Sequence, residues 1–286
     1  MGKSTSGWIN GLVGVAIFAG SLPATRVAVA ELNPVFLTSA RAAIAAVLGL
    51  ALLLLLRQPR PTLADAPPLL FTAIGCVLGF PLLTALALQH VTSAHSIVFL
   101  GLLPLCTALF AVLRAGERPR LPFWLFSVVG AAFVAGYAAM GDLEASLKGD
   151  LLMLAAVLVC GMGYAEGAQL SRKLGGWQVI SWALVFSLPV MLPLALLNMP
   201  QSLESVGAAA WIGLAYVSVF SMLIGFVFWY RGLAQGGIAA VGQLQLLQPF
   251  MGLGLAALLL QETVSWTMLI VTLVAVVCVG GAKKYA

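Results

Sequence analysis

Apolar residues dominate this chain in long runs, and short polar breaks separate them. A helix crossing a bilayer core needs about 20 mostly apolar residues. Runs near that length lie at Gly7–Val29, Pro34–Leu56, Pro67–Leu88, Ser93–Leu113, Pro122–Met140, Gly149–Ser171, Trp177–Leu197, Ala209–Tyr230, Ile238–Leu260 and Ser265–Ala282. The breaks carry turn chemistry, as in Arg57-Gln58-Pro59-Arg60-Pro61, Gly116-Glu117-Arg118-Pro119, Gly175-Gly176, Asn198-Met199-Pro200 and Gly236-Gly237. The pattern predicts ten transmembrane helices, with no loop long enough for a soluble domain. The first run also resembles a signal peptide, with Lys3 ahead of it and Ala28-Val29-Ala30 as a cleavage site. Pro23 and Arg26 interrupt it just before that site, so a retained helix is expected.

Composition agrees. The chain is 62% apolar and 8% charged, against about 25% charged in a soluble domain. A soluble fold this apolar could not cover its surface with polar groups. The net charge of +5 reads as topology rather than as a nucleic-acid patch. With the N-terminus inside and ten alternating spans, Lys3, Arg57, Arg60, Arg114, Arg118, Arg120, Arg172, Lys173, Arg231, Lys283 and Lys284 fall inside, and only Lys148 falls outside. Arg26 and Arg41 lie within spans. Basic residues in short loops mark the cytoplasmic side, so both termini are expected there. Removing one span would invert every later loop and destroy the bias.

The chain also repeats itself. Pro104 precedes Glu117 by 13 residues, and Pro249 precedes Glu262 by 13. The same shift of 145 aligns Leu88 with Leu233, Ala94 with Ala239, Leu102 with Leu247 and Ala111 with Ala256. Gly79-Phe80 matches Gly225-Phe226 with one residue of slippage. This divides the chain into units 1–145 and 146–286, of five spans each. Five is odd, so the second unit must thread the membrane in the opposite sense. The Glu117 loop carries Arg114, Arg118 and Arg120, whereas the loop from Gln261 to Ser265 carries no basic residue. The expected fold is an all-α polytopic membrane protein, ten transmembrane helices in two inverted five-helix repeats. Two similar halves of opposite orientation can exchange conformations, which is a recurrent transporter design.

These features, with Asn33-Pro34 followed by Arg41 on the second span, resemble the EamA-type branch of the drug/metabolite transporter superfamily. Within it the sequence is most similar to the bacterial aromatic amino acid exporters. The resemblance covers nearly the whole chain. It implies a multi-pass protein of the bacterial inner (cytoplasmic) membrane, exporting amino acids or related metabolites through a central cavity lined by both halves. The aromatic preference comes from the resemblance alone. A drug or quaternary ammonium carrier is the alternative, using aromatic faces and an acid such as Glu166.

A central cavity for an amphipathic substrate wants aromatic faces, small residues and a few polar groups. Ser21 sits beside Gly20 and Pro23, and the proline can free a backbone carbonyl. Phe80 and Thr84 are four apart and share a helix face. Phe99 lies about 9 Å in from the outer end of the fourth span, and Tyr164 is surrounded by Gly161, Gly163 and Gly167. Those glycines either leave room beside the ring or mark a tight helix crossing. The ninth span is the most polar, and Gly242, Gln245, Pro249 and Gly252 form one stripe at helical spacing. Arg41, about 10 Å into the second span, either holds a substrate carboxylate or snorkels outward. Glu166 is the candidate for proton coupling, with an interfacial ion pair as its other reading. Trp229 and Tyr230 suit an interfacial aromatic belt. Arg26 suits an ion pair with Glu31, and His90 and His95 lie at the outer ends of their spans.

No enzyme motif is found. The four cysteines, Cys76, Cys106, Cys160 and Cys278, sit in apolar runs without CxxC spacing. No cofactor or metal is expected. The partners expected are a small-molecule substrate (an amino acid) and the lipid bilayer, not nucleic acid. Gly7-x-x-x-Gly11, Gly75-x-x-x-Gly79 and Gly232-x-x-x-Gly236 suit close helix packing, in a monomer or in a dimer.

Overall fold

Backbone in lipid must satisfy its own hydrogen bonds, and apolar runs of this length do so as helices. The computed structural model describes residues 3–87, 90, 99–140, 146–260 and 266–286, and every regular element among them is helical. Helix α1 comprises Lys3–Ala19 and Ser21–Val29, broken at Gly20. Helix α2 is Pro34–Leu55 and α3 is Leu63–Ala87. Next come α4 (Leu103–Ala115), α5 (Leu121–Ala138), α6 (Leu147–Leu174), α7 (Gly176–Leu197) and α8 (Ala208–Gly236). Helix α9 runs through Ile238–Gly242, a 3-10 turn at Gln243–Leu247 and Gln248–Leu260. Helix α10 is Trp266–Tyr285. Among the described residues, α1, α2, α3, α6, α7 and α8 are long and apolar enough to cross a membrane, and α4 and α5 are shorter apolar helices.

The turn chemistry acts as its residues dictate. The Asn33 side chain accepts from the amides of Val35 and Phe36 at 2.8 and 3.4 Å, capping α2 ahead of Pro34. Gly175 and Gly237 adopt φ of 97° and 92° where α6 passes to α7 and α8 to α9, a region glycine enters without a Cβ penalty.

Inside the helices the geometry departs from a uniform α period. Residues Ala73–Gly79 of α3 and Tyr216–Gly225 of α8 form π-helical turns. Both end at the matched Gly-Phe dipeptides. The glycine is needed there: a Cβ would stand 2.5 Å from the Ile74 carbonyl oxygen at Gly79 and 3.1 Å from that of Phe220 at Gly225. The 3-10 turn of α9 has a different cause. Pro249 has no N–H for the Gln245 carbonyl, and the Gln248 amide donates to that carbonyl instead.

Lipid tails are as apolar as leucine, so helices associate through close packing rather than hydrophobic burial. Accordingly α1 crosses α8 glycine on glycine. A Cβ at Gly7 would overlap the Gly236 nitrogen, and one at Gly232 would lie 2.5 Å from that of Gly11. Gly75 of α3 meets Gly163 of α6 in the same way. The small-residue motifs are therefore used within the chain. Other neighbours are α2 with α7, α4 with α6, and α5 with α10. Leu55, Leu121 and Leu273 point outward, as lipid-facing residues do.

A candidate substrate site in the aromatic core

The glycines of α6 serve helix crossings. A Cβ at Gly161 would meet Cys106 at 2.9 Å, and one at Gly167 would overlap the Tyr230 ring. With α6 pressed onto its neighbours, Tyr164 is buried in an aromatic cluster. Its ring lies 5.4 Å from Trp229 and 6.1 Å from Phe226, both on α8. Phe18 of α1 closes the group, 5.0 Å from Phe226 and 6.2 Å from Trp229. Edge-on and tilted rings at these separations attract beyond their area burial. Gln245 of α9 lies beside the Tyr164 hydroxyl, yet neither of its amide atoms meets the geometry of a hydrogen bond. The structure thus brings together two predicted residues, Tyr164 and Gln245, and adds Phe18, Phe226 and Trp229.

Trp229 and Tyr230 overturn the expectation of an interfacial belt, for both are fully buried. Depth along a helix does not decide which side a residue faces. Here Gly167 of α6 receives the Tyr230 ring, and Gly14 of α1 lets that helix press against the Trp229 backbone. The Tyr230 hydroxyl is engaged by Gly163 O and Cys76 Sγ, each at 3.2 Å.

The other predicted residues lie around this cluster. Ser21, just after the break in α1, donates to Ser221 Oγ of α8 at 2.8 Å. The Tyr216 hydroxyl donates to the Ile17 carbonyl at 2.9 Å and covers Gly20. Phe80 and Phe99 are half-buried against the main core. Thr84 Oγ1 and Arg41 Nε are buried without partners. The described contacts do not join Arg41 or Ser21 to the Tyr164 cluster.

Glu166 is nearly buried and accepts from Arg114 Nε of α4. The Arg114 guanidinium also lies 5.9 Å from the Phe71 ring centre. Nearby, Glu117 does what its place in a loop did not announce. Its carboxylate accepts from the amides of Ile238 and Ala239 at 2.9 and 2.8 Å, and from Arg172 Nη2 at 3.0 Å. It caps α9 across the two sequence units, where helix N–H groups lack intrahelical partners. The signal for it was the fixed Pro104-to-Glu117 spacing. Lys173 pairs with Asp65 at 2.6 Å on the same end of the bundle. Glu31 accepts from the Gly207 amide at 2.6 Å, and the Arg26 side chain lies outside the described residues, as do Glu262 and His95. Among the described residues no group of three His, Cys, Asp or Glu could hold a metal.

The EamA-like transporter family matches this chain twice, over residues 5–138 and again over 147–281. The "Uncharacterized transporter YdeK" of Bacillus subtilis (strain 168) is 62% identical over 286 residues, covering all of both chains. A solved structure described only as "Crystal structure of protein" superposes with a TM-score of 0.81 at 20% identity, over 98% of this chain and 99% of its own, and shows the fold alone. The family accounts for a helical polytopic membrane protein without enzyme motifs, acting on small molecules. With the family present twice and a transporter relative along its whole length, the chain belongs to the EamA-like transporter family.

Proposed function

We propose that this transporter works by alternating access and exports amino acids from the cytoplasm, preferring aromatic or bulky apolar side chains. The proposal takes the chain as ten spans in two inverted five-helix repeats, residues 1–145 and 146–286, with both termini cytoplasmic. Several observations support it. The family matches once in each half. Exchanging α1–α5 with α6–α10 maps several of the packing pairs onto one another: α1 on α8 becomes α6 on α3, α4 on α6 becomes α9 on α1, and α2 on α7 and α5 on α10 map onto themselves. The π turns of α3 and α8 are exchanged too. A pseudo-two-fold of this kind gives inward-open and outward-open states of comparable energy.

One observation carries the substrate class. Phe18, Tyr164, Phe226 and Trp229 form an aromatic group drawn from both units and closed by polar Gln245. Such a surface suits an apolar ring with a polar head. Phe80, Thr84 and Phe99 extend the wall, Ser21 and Arg41 stand apart from it as further polar groups along the pathway, and Glu166 carries any proton coupling. A quaternary ammonium carrier would use the same rings, but Glu166 is already matched by Arg114, which favours the amino acid. Because the glycine motifs pack within the chain, the proposed unit is a monomer.

Efflux of labelled phenylalanine, threonine and tetraphenylphosphonium from proteoliposomes tests this. Phenylalanine should leave fastest, and failure to move any amino acid removes the assignment. Flux with and without a pH gradient, in wild type and Glu166→Gln, tests the coupling. Impermeant labels should reach the Glu117 and Glu262 loops from opposite sides of the membrane.

A further inference from the structure

Most buried polar side chains around the core are used. The Tyr230 hydroxyl has two partners, Tyr216 reaches the Ile17 carbonyl, and Ser21 and Ser221 bond each other. Trp229 and Gln245 differ, as do Gln243, Thr84, Ser181 and Arg41 farther along the helices. The Trp229 indole N–H is fully buried and without a partner, one residue from the satisfied Tyr230. Both amide atoms of Gln245, 4% exposed, are also without partners. Buried polar atoms are paired in the great majority of cases, and leaving them unpaired costs free energy. Among the unpaired atoms, the three of Trp229 and Gln245 come from two helices and lie beside Tyr164, which calls for a common explanation.

Their chemistry limits what they could meet. An indole N–H is a donor only, whereas a primary amide offers two donors and an acceptor. Arg114 is committed to Glu166, Arg172 to Glu117 and Lys173 to Asp65, and Arg231, two residues beyond Trp229, is exposed. The unpaired atoms beside Tyr164 are neutral, with donors from two directions and one acceptor. We infer that Trp229 and Gln245 recognise the zwitterionic head of the substrate. The Trp229 N–H and the Gln245 amide N–H donate to its carboxylate, and the Gln245 oxygen accepts from its ammonium group. The substrate ring then lies among Phe18, Tyr164 and Phe226. Neutral donors hold a carboxylate less tightly than an arginine fork, which suits a carrier that must also release its cargo. The inference rests on the amino acid reading above and assigns roles within it.

The test uses the full-length protein in proteoliposomes. Efflux of labelled phenylalanine is measured together with inhibition by phenylethylamine, which lacks the carboxylate, and by 3-phenylpropionate, which lacks the ammonium. Trp229→Phe keeps a ring and removes the N–H. It should raise KM for phenylalanine and the inhibition constant of 3-phenylpropionate about tenfold, the size of one hydrogen bond to a charged group. Inhibition by phenylethylamine should be unchanged. Gln245→Leu should weaken all three ligands. Both variants are assayed at equal amounts of folded, monodisperse protein, because Trp229→Phe also shrinks a fully buried ring. Equal weakening of all three ligands by Trp229→Phe, or unchanged constants for both acids, would overturn the inference. If Trp229→Phe fails to fold, unchanged constants in Gln245→Leu would overturn it alone. Wild-type protein that moves no phenylalanine would instead defeat the amino acid reading itself.

Discussion

Replacing Glu117 by alanine removes three hydrogen bonds at once, two from backbone amides at the start of α9 and one from Arg172. Ile238 and Ala239 are buried, so their N–H groups would lose their partner without gaining water. Each buried donor left unsatisfied costs about 1–3 kcal/mol, and loss of a helix N-cap costs about 0.5–2 kcal/mol overall. Because one carboxylate serves both amides, about 2–4 kcal/mol is expected for Glu117→Ala. The Arg172 pair adds little, since 44% of that side chain is exposed and exposed pairs contribute about 0–1 kcal/mol. Glu117→Gln keeps one acceptor and should fall near half the alanine value, whereas Arg172→Ala should cost less than about 1 kcal/mol. Reversible unfolding in mixed detergent micelles, followed by tryptophan fluorescence, gives the three values. An Arg172→Ala loss equal to that of Glu117→Ala would refute the reasoning, placing the stabilisation in the ion pair rather than in the cap.

Two further outcomes follow from the packing. Arg114→Ala strands the nearly buried Glu166 carboxylate and should cost about 2–3 kcal/mol, below the roughly 3–5 kcal/mol of a fully buried pair because Arg114 is half exposed; Arg114→Ala with Glu166→Gln should recover part of that in the same unfolding assay. Gly7→Leu forces a side chain whose first carbon already overlaps the Gly236 backbone and should abolish a monodisperse peak in detergent size-exclusion chromatography, whereas Gly136→Ala, with nothing within 4 Å, should leave the peak unchanged.

Much of the architecture was legible in the chain because bilayer physics acts on linear sequence. Span length, the apolar runs and the glycine turns at Gly175 and Gly237 need no tertiary information, since lipid forces each segment to satisfy its own backbone. The matched Gly-Phe dipeptides also carried more than similarity, for each ends the same π-helical irregularity. The uniform helical stripe expected in α9 did not hold over its whole length. Pro249, four residues after Gln245, cannot donate to the Gln245 carbonyl, and the local hydrogen bonding shifts to 3-10 over Gln243–Leu247.

What the sequence by itself determined is the class of the protein: where helices run, where they stop, and that two similar units follow one another. Those features depend on neighbours in the chain, on hydrophobic length and on local turn geometry. Only the tertiary structure decided which face each helix turns inward. Trp229 and Tyr230 sit at a depth that suits an interface, yet both are buried, with Gly14 of α1 against the Trp229 backbone and Gly167 of α6 against the Tyr230 ring. Glu117 reads as a loop acid until α9 begins beside it. Lateral packing joins residues more than a hundred positions apart, and no periodicity along one helix encodes its neighbour.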